Sequence, residues 1–584
     1  MKRLLALFVM TMLLVGLLSA PVVAAPDPGL TALARYFPDT TPAFVVLRTS
    51  EAQIDTLDAL FQRFSEQIPE MAESGLGLRE LLDLAALTSV ESNFQTGIRP
   101  WLGDSIAAGV LSIEGLTDME NPDPDDIPFV IAVSITDREA AQPFVDNLVE
   151  RILPADDFEL RSEGNFTLYV PQVTENYLLL GDDVLMLGNR AGITTVTDGI
   201  DSNLSDNSQF NNTIALLPAD DYTLAVYIDT ESITGAMLSA AASELPPAFF
   251  EFFDPALLGA YPSVAMGLIV LENRAITLDI AEAAGDLSGV MEAGLPYFKP
   301  LPPVDPGFAA HIPADALFSL HGSDLKAVTA LVGQLVRQSI EQVANLAALG
   351  EGFGGGDLPF DLSQFRGDID ETLAEANEQF TTMTGLDIQD DILGWMTGDY
   401  AIFFSLNLSA LANNGLPVEI GVVIAATDPA AARNVVDSLT TLAEDQIPIP
   451  DVVSQEDVAG TTVTVLDLSE LGPDAAPVEV LMGSNDAVFA LGTRGAVQAI
   501  ITPVNGGLAA TPAYIDALNF VVENPTTIWY LNPDVLEPLL GMAAGGQDTR
   551  QAQTALKLIS SLTLSGTTFE DGSSILRFVL ALAE

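Results

Sequence analysis

The sequence predicts an α+β fold in two tandem homologous domains, each a mainly antiparallel sheet with helices packed on it. The first observation is an internal repeat, because residues 136–148 align without a gap with residues 427–439 and share Thr, Asp, two Ala, Val, Asp and Leu. The second is that a Trp turn ending in Gly-Asp precedes both segments, and Leu-Gly-x-Arg follows both. The third is alternation, as in residues 276–280, which gives a strand one apolar and one polar face. Such strands are typical of antiparallel sheets with helices on one side.

Both halves are predicted to contain the same elements in the same order. Each begins with a strand and two helices. A strand after the Trp turn follows, and then a strand before the repeated segment. A helix starts in the repeated segment, and a hairpin ends each half. Further strands surround a short helix at Leu-Gly-x-Arg. In the first half the predicted elements are residues 43–47, 52–64, 78–87, 106–113, 129–134, a helix from Thr136, and 264–271 with 275–280. In the second half they are residues 316–320, 325–349, 370–383, 400–406, 419–425, a helix from Thr427, and 562–569 with 574–580.

Local signals mark where these elements start and turn. Thr136 followed by Glu139 has the spacing of a capping box, in which the two side chains satisfy free backbone N–H groups at a helix start. Pro429 suits the first turn of the corresponding helix, where a missing N–H costs nothing. The closing hairpins turn at residues 272–274 and 570–572, where Asn and Asp-Gly supply the left-handed residues of tight turns.

The N-terminus has the three parts of a secretory signal peptide: a basic start, an apolar run over residues 4–18, and small residues before a cleavage point after Ala24. An uncleaved anchor is the alternative, since a membrane span needs about 20 apolar residues. We therefore predict export to the periplasm, the cell surface or the medium, with no integral membrane span after signal removal. The predicted segments are a signal peptide at 1–24, a mature N-terminal segment at 25–33, a first α+β copy at 34–295, a proline-rich linker at 296–307 and a second α+β copy at 308–584.

Composition restricts the classes of partner. The chain has 81 acidic against 21 basic side chains, a formal charge of −60, which repels nucleic-acid phosphates and favours cations and basic proteins. With 48% hydrophobic and only 17% charged residues it is predicted to fold around a core instead of forming an acidic disordered tail. It contains no cysteine, which excludes disulfides and thiolate metal sites.

Several of these segments resemble an uncharacterised family of exported bacterial proteins known only as a domain of unknown function. The resemblance is carried by residues 36–43, by residues 384–399, and by the Thr-Asp helix starts in both copies. It covers nearly the whole mature chain, although the first copy departs from the pattern by shortening the approach to Trp101. The resemblance implies export and the fold, and it brings no activity, cofactor or catalytic residue.

Two motifs of penicillin-recognising enzymes occur in the wrong order. Ser323 and Lys326 match Ser-x-x-Lys, but the Ser-Asp-Asn motif at 205–207 precedes them and the chain has no Lys-Thr-Gly. The alternative interpretation is a helix start with Ser323 as N-cap and Asp324 in the first turn. Since the only histidines are His311 and His321, and imidazole sites usually need more ligands than two, no catalytic residue and no cofactor are predicted.

Two clusters and one glycine-rich stretch differ between the copies. An acidic loop offers carboxylates of the type that calcium prefers, either as a weak divalent metal site or as a solvated loop. A phenylalanine cluster could contact an apolar ligand or partner, or it could fill the core. The glycine-rich residues 350–356 follow a predicted helix instead of a strand, which favours a hinge over a dinucleotide loop. The metal candidates are Asp118, Glu120, Asp123, Asp125 and Asp126, and the apolar contact candidates are Phe249, Phe250, Phe252 and Phe253.

These observations favour a non-enzymatic exported protein that serves in binding or envelope interaction. The alternative is a secreted hydrolase that uses carboxylates, with or without a divalent cation, because 81 acidic side chains place some pairs close together. The hydrolase requires two buried carboxylates that face each other across a pocket.

Overall fold

A computed structural model gives the structure of the chain, and it combines helices with antiparallel strands, which confirms the α+β class. Two compact units are distinguished: residues 1–289 with 573–575 and 584, and residues 290–572 with 576–583. The described residues are 28–67, 77–90, 92–113, 127–152, 158–172, 176–241, 259–271, 274–287, 299–334, 369–407, 417–447, 449, 452–471, 478–537 and 556–583.

The first unit contains ten strands and seven helices among its described residues. The strands are β1 Ala43–Arg48, β2 Leu102–Val110, β3 Phe129–Ile135, β4 Phe158–Glu163, β5 Phe166–Pro171, β6 Asn176–Leu180, β7 Val184–Asn189, β8 Leu224–Asp229, β9 Ser263–Leu271 and β10 Ala275–Ala283. The helices are α1 Pro28–Thr31, α2 Glu51–Gln67, α3 Leu78–Val90, α4 Arg138–Ile152, α5 Arg190–Thr197, α6 Ser208–Ala215 and α7 Thr230–Ala241.

The rest of the chain supplies ten more strands and five helices among its described residues. The strands are β11 Ala316–Ser323, β12 Asp399–Leu406, β13 Val418–Ala425, β14 Val453–Val458, β15 Thr461–Asp467, β16 Glu479–Ser484, β17 Val488–Thr493, β18 Thr527–Leu531, β19 Ile559–Thr568 and β20 Ser574–Leu582. The helices are α8 at 325–334, α9 Ile369–Thr384, α10 Pro429–Gln446, α11 Arg494–Ile501 and α12 Pro512–Leu518.

Strand order is the same in the two units. The first sheet runs β4-β5-β6-β7-β3-β2-β1-β8-β9-β10, and each of these neighbouring pairs is antiparallel. The second runs β14-β15-β16-β17-β13-β12-β11-β18-β19, again antiparallel at each step, and β19 also pairs with β20. The predicted closing hairpins are therefore confirmed as β9 with β10 and β19 with β20, and Gly572 has the expected positive φ of 87° in the second turn.

Side chains alternate along the strands, and in the second unit both faces of the sheet carry core residues, with α10 packed on one face and α11 and α12 on the other. The predicted placement of helices on one side alone is therefore wrong for this unit. In β12, Ala401 and Phe403 are buried in a cluster that also contains aromatic rings from α12 and β18. Those rings, Tyr514 and Tyr530, meet edge to face at 5.0 Å, and Phe210 and Tyr227 of the first unit do the same at 5.0 Å. Among the described residues no helix combines the length and the apolarity needed to cross a bilayer.

The start of α4 differs from the predicted capping box. The Thr136 hydroxyl donates to the Trp101 carbonyl at 3.2 Å, so it is directed to the Trp turn and not to the first N–H groups of the helix. The neighbouring Asp137 takes that role, because its Oδ1 accepts the backbone N–H of Ala140 at 3.0 Å. Thr136 thus ties the helix start to the Trp turn, and the cap lies one residue later than predicted.

In α10 the cap is Asp428, whose Oδ1 accepts the N–H groups of Ala430 at 3.0 Å and Ala431 at 3.1 Å. Pro429 occupies the first helical position, as predicted. We expect Asp428→Ala to lower the free energy of unfolding by about 1 kcal/mol, because two backbone donors lose their acceptor. Urea denaturation followed by circular dichroism would measure the loss. Asp428→Asn, which retains an acceptor, should stay close to the parent, and an equal loss in both variants would contradict the capping role.

Candidate functional site

Three of the segments singled out by sequence lie outside the described residues. They are the acidic loop with Asp118, Glu120, Asp123, Asp125 and Asp126, the cluster of Phe249, Phe250, Phe252 and Phe253, and the glycine-rich stretch 350–356. Their metal, apolar-contact and hinge roles remain predictions. In the parts of the chain that are described, no group of three or more His, Asp or Glu side chains is placed to hold a metal ion.

The serine motifs serve as local structure. Ser323 ends strand β11 and its hydroxyl donates to the Pro302 carbonyl, so it is engaged before the helix begins. Asp324 leaves the strand with a φ of 50°, and its Oδ1 accepts the N–H of Ala327 at 3.0 Å. The N-cap of α8 is therefore Asp324, and the prediction of Ser323 as the cap is wrong. In the first unit, Asn207 of the Ser-Asp-Asn motif caps α6.

Both histidines pack against the ring of Phe308. The His311 and His321 rings lie 5.5 and 5.6 Å from it, between ring centres. His321 is only 1% exposed, and its Nε2 lies 3.3 Å from Oδ2 of Asp399. A side chain so deeply buried is closed to a substrate, so His321 serves the core of the second unit, whereas His311 is half-buried and its Nδ1 lies 3.0 Å from the Ile500 carbonyl.

The described buried carboxylates of β10 do not form the arrangement that a carboxylate hydrolase requires. Asp279 is fully buried and accepts a hydrogen bond from the Tyr222 hydroxyl. Burial raises the pKa of Glu282 to about 7. The two residues are three positions apart on one strand, so their side chains leave opposite faces of the sheet and do not face each other across a pocket.

A polar pocket of about 430 Å³ opens in the second unit between α10, the β14–β15 hairpin and the β16–β17 turn. Neutral polar residues dominate its lining: Thr461, Thr462, Thr464, Ser484, Gln455 and Asn485. The volume falls in the range of small-ligand sites, about 300–1,000 Å³. None of these residues belongs to a motif that predicts a site from the sequence.

The inner wall of the pocket is fixed by two buried threonines. Thr464 is 2% exposed, and its Oγ1 lies 2.6 Å from Oγ1 of Thr440 in α10. Thr440 donates its own hydrogen to the Val436 carbonyl at 2.7 Å, so Thr464 must be the donor between the two hydroxyls. The Thr464 side chain is therefore held against α10, and the pocket next to it remains open.

Charged side chains form the rim. Nη1 of Arg433 lies 2.7 Å from Oδ1 of Asp486, with side-chain exposures of 49% and 92%. An ion pair this exposed contributes about 0–1 kcal/mol, so an incoming charged group can replace either partner at small cost. Asp437, one helical turn beyond Arg433, adds a second carboxylate to the lining.

The first unit fills the equivalent region with a large side chain. In β5, Tyr169 pairs with Leu178, and in β15, Thr464 pairs with Met482, at the same step of the same strand order. Tyr169 is 5% exposed, and its hydroxyl accepts a hydrogen bond from Gln142 of α4 at 3.0 Å. The inner wall thus carries a phenol ring in the first unit and a threonine in the second.

The sequence contains a signal for this difference, but it can be recognised only when the strand register is known. Residues 165–169 read Asn-Phe-Thr-Leu-Tyr, whereas residues 460–464 read Gly-Thr-Thr-Val-Thr. Side by side, they show the replacement of two aromatic residues by threonine. The repeated motifs that align the two halves lie on other elements and do not reveal this difference.

The chain matches, over residues 3–582, the model of a family described as Protein of unknown function (DUF3352). The match extends over nearly the whole chain and confirms the resemblance found in its turn and helix-start motifs. No curated protein and no solved structure matches the chain. The geometry of the pocket is therefore the main guide to function.

Proposed function

We propose, from the premise that the chain belongs to the family of unknown function DUF3352, that it is an exported, non-enzymatic binding protein whose ligand site is the polar pocket of the second unit. The observation that carries the proposal is Thr464, which leaves open the space that Tyr169 fills in the first unit. A structural position that is closed in one unit and open in the other is expected where one unit has acquired a ligand.

Two further features support this function. The signal-peptide pattern over residues 1–24 favours export. Tandem duplication is supported by the shared strand order and by a hydrogen bond repeated in both units, where Thr136 and Thr427 each donate to the carbonyl of a Trp-turn tryptophan. Duplication frees one copy to change while the other retains the packing of the fold.

The chemistry of the lining fits reversible binding of a small polar molecule. Hydroxyl and amide groups both donate and accept hydrogen bonds, and the ion pair at the rim offers one positive and one negative contact. A pocket of this kind selects ligands by hydrogen-bond pattern, since a ligand that leaves buried polar groups unpaired is rejected.

The test is a pocket-filling variant. We expect Thr464→Tyr to weaken ligand binding at least tenfold with little loss of stability, because the corresponding strand position of the first unit accepts tyrosine. The full chain would be screened by thermal shift against amino acids, polyamines, alkylguanidines and sugars, and each molecule that stabilises it would be quantified by calorimetry.

The matched control places the same side chain elsewhere in this unit. Thr382 is exposed on α9, so Thr382→Tyr should leave affinity unchanged. Binding that survives Thr464→Tyr, or a complete screen without a stabilising molecule, would contradict the assignment of this pocket.

A further inference from the structure

We infer that the pocket of the second unit binds the guanidinium or ammonium group of a small organic cation, an inference that rests on the proposed function because it names the ligand class of the same site. The first unit holds a guanidinium of its own at the corresponding position. There, Arg138 of α4 donates to Oδ1 of Asp182 at 2.9 Å, to Oγ1 of Thr167 at 2.8 Å and to the Asn165 carbonyl at 3.4 Å. These three acceptors surround a guanidinium with a carboxylate, a hydroxyl and a backbone oxygen.

The carboxylate of this set recurs in the second unit. The β6–β7 hairpin closes with Leu180 opposite Leu185, and the β16–β17 hairpin closes with Ser484 opposite Phe489, so the two turns have the same length. Asp182 and Asp486 are both the second residue after the closing position of their strand. Asp486 lines the pocket.

The other two acceptors recur as well. Thr167 pairs with Leu180, and the pairing of Val463 with Gly483 places Thr462 opposite Ser484 in the same way. The two-residue turns that connect β4 to β5 and β14 to β15 end in Asn165 and Gly460 respectively. The groups that hold a guanidinium in the first unit therefore have counterparts in Gly460, Thr462 and Asp486, which all line the pocket.

What the second unit lacks is the arginine from the helix start. Arg138 is the first residue of α4, and Pro429 is the first residue of α10. Proline carries no charge and has no side-chain donor, so the three acceptors receive no cation from this helical position. Arg433, one turn further along α10, contacts Asp486 from the exposed rim, and the pocket remains open beside it.

The negative charge of the whole chain also favours a cationic ligand. The whole chain has a formal charge of −60, and a field of that sign concentrates cations near the surface while it repels anions. Asp437 supplies a second carboxylate in the lining, which suits a ligand with a second positive group. Both the long-range electrostatic field and the positions of the acceptors therefore favour a small organic cation.

The decisive comparison uses butylguanidinium and butylurea, which share their shape and differ in charge. Calorimetry on the full chain is expected to give at least tenfold tighter binding of butylguanidinium.

Asp486→Asn should weaken that binding at least tenfold, and Pro429→Arg should abolish it by supplying an internal guanidinium, as Arg138 does. Pro429→Ala, which supplies no cation, should bind like the parent.

The outcomes separate this inference from the proposed function. Equal affinity for the two probes, or butylguanidinium binding that survives both Thr464→Tyr and Asp486→Asn, would overturn the cation inference. If a neutral or anionic molecule bound in a manner sensitive to Thr464→Tyr while butylguanidinium did not, the pocket would still be a ligand site and only the ligand class would be wrong. If no probe bound, both proposals would fail.

Discussion

Replacing Phe403 with alanine is expected to lower the free energy of unfolding of the second unit by about 3–5 kcal/mol, the usual cost of removing a fully buried phenylalanine ring. Phe403 is 0% exposed and belongs to the core cluster that contains Tyr514 and Tyr530. Its ring sits over Gly421 of the neighbouring strand, because a Cβ added to that glycine would lie 2.2 Å from Cζ of Phe403. Glycine offers no side chain to fill the space, so the cavity would remain.

The neighbouring residue is the matched control. Phe404 points to the opposite face of β12 and is only half-buried, so Phe404→Ala should cost markedly less, on the order of 1 kcal/mol. Scanning calorimetry would report both variants, since it resolves transitions of separate units. Equal losses at the two positions would show that Phe403 is not packed more tightly than Phe404.

Replacing Glu282 with glutamine is expected to stabilise the first unit near neutral pH and to change nothing in acid. Burial raises the pKa of Glu282 from its usual 4.5 to about 7. The folded state therefore holds a proton that the unfolded state has released, and stability falls as the pH rises between these two values. Above the higher value the charged side chain costs about 3 kcal/mol, and glutamine removes that cost while keeping the shape.

The measurement is urea denaturation of the parent and Glu282→Gln, near pH 4 and near pH 8, where the linkage is absent and complete respectively. Glu523, an exposed glutamate, provides the control, and Glu523→Gln should have little effect at either pH. A stabilisation by Glu282→Gln that is the same at both pH values would show that ionisation of this side chain is not its cause.

The strands were predictable because burial acts on every second residue. In β10 the alternation over residues 276–280 reveals a strand without knowledge of any partner strand. It does not reveal which side is buried, because the fully buried residues are Thr277 and Asp279 and the isoleucines are half-buried. The helix caps were harder, because Thr136 and Asp137 are both good capping residues and neighbours in sequence. Only the tertiary bond from Thr136 to the Trp101 carbonyl decides between them.

The pocket was beyond prediction for a different reason. The pocket exists because small side chains stand where larger ones would fit. No residue type in the sequence identifies such an open space. Thr464 is an ordinary strand residue until its position is compared with Tyr169 through the register of both sheets. Motifs in the chain identify helix starts and turns, whereas this site depends on which strands are neighbours.

The strand order also determines when each unit can fold. β1 lies between β2 and β8, and β11 lies between β12 and β18, so the first strand of each unit needs a neighbour that comes much later in the chain. Sheets built from such distant pairings form slowly, because the loop must close before the contacts stabilise it. A chain that emerges from its N-terminus must therefore wait for nearly a whole unit before its first strand gains both neighbours. For a protein that we propose to be exported, this delay would keep the chain unfolded during passage across the membrane.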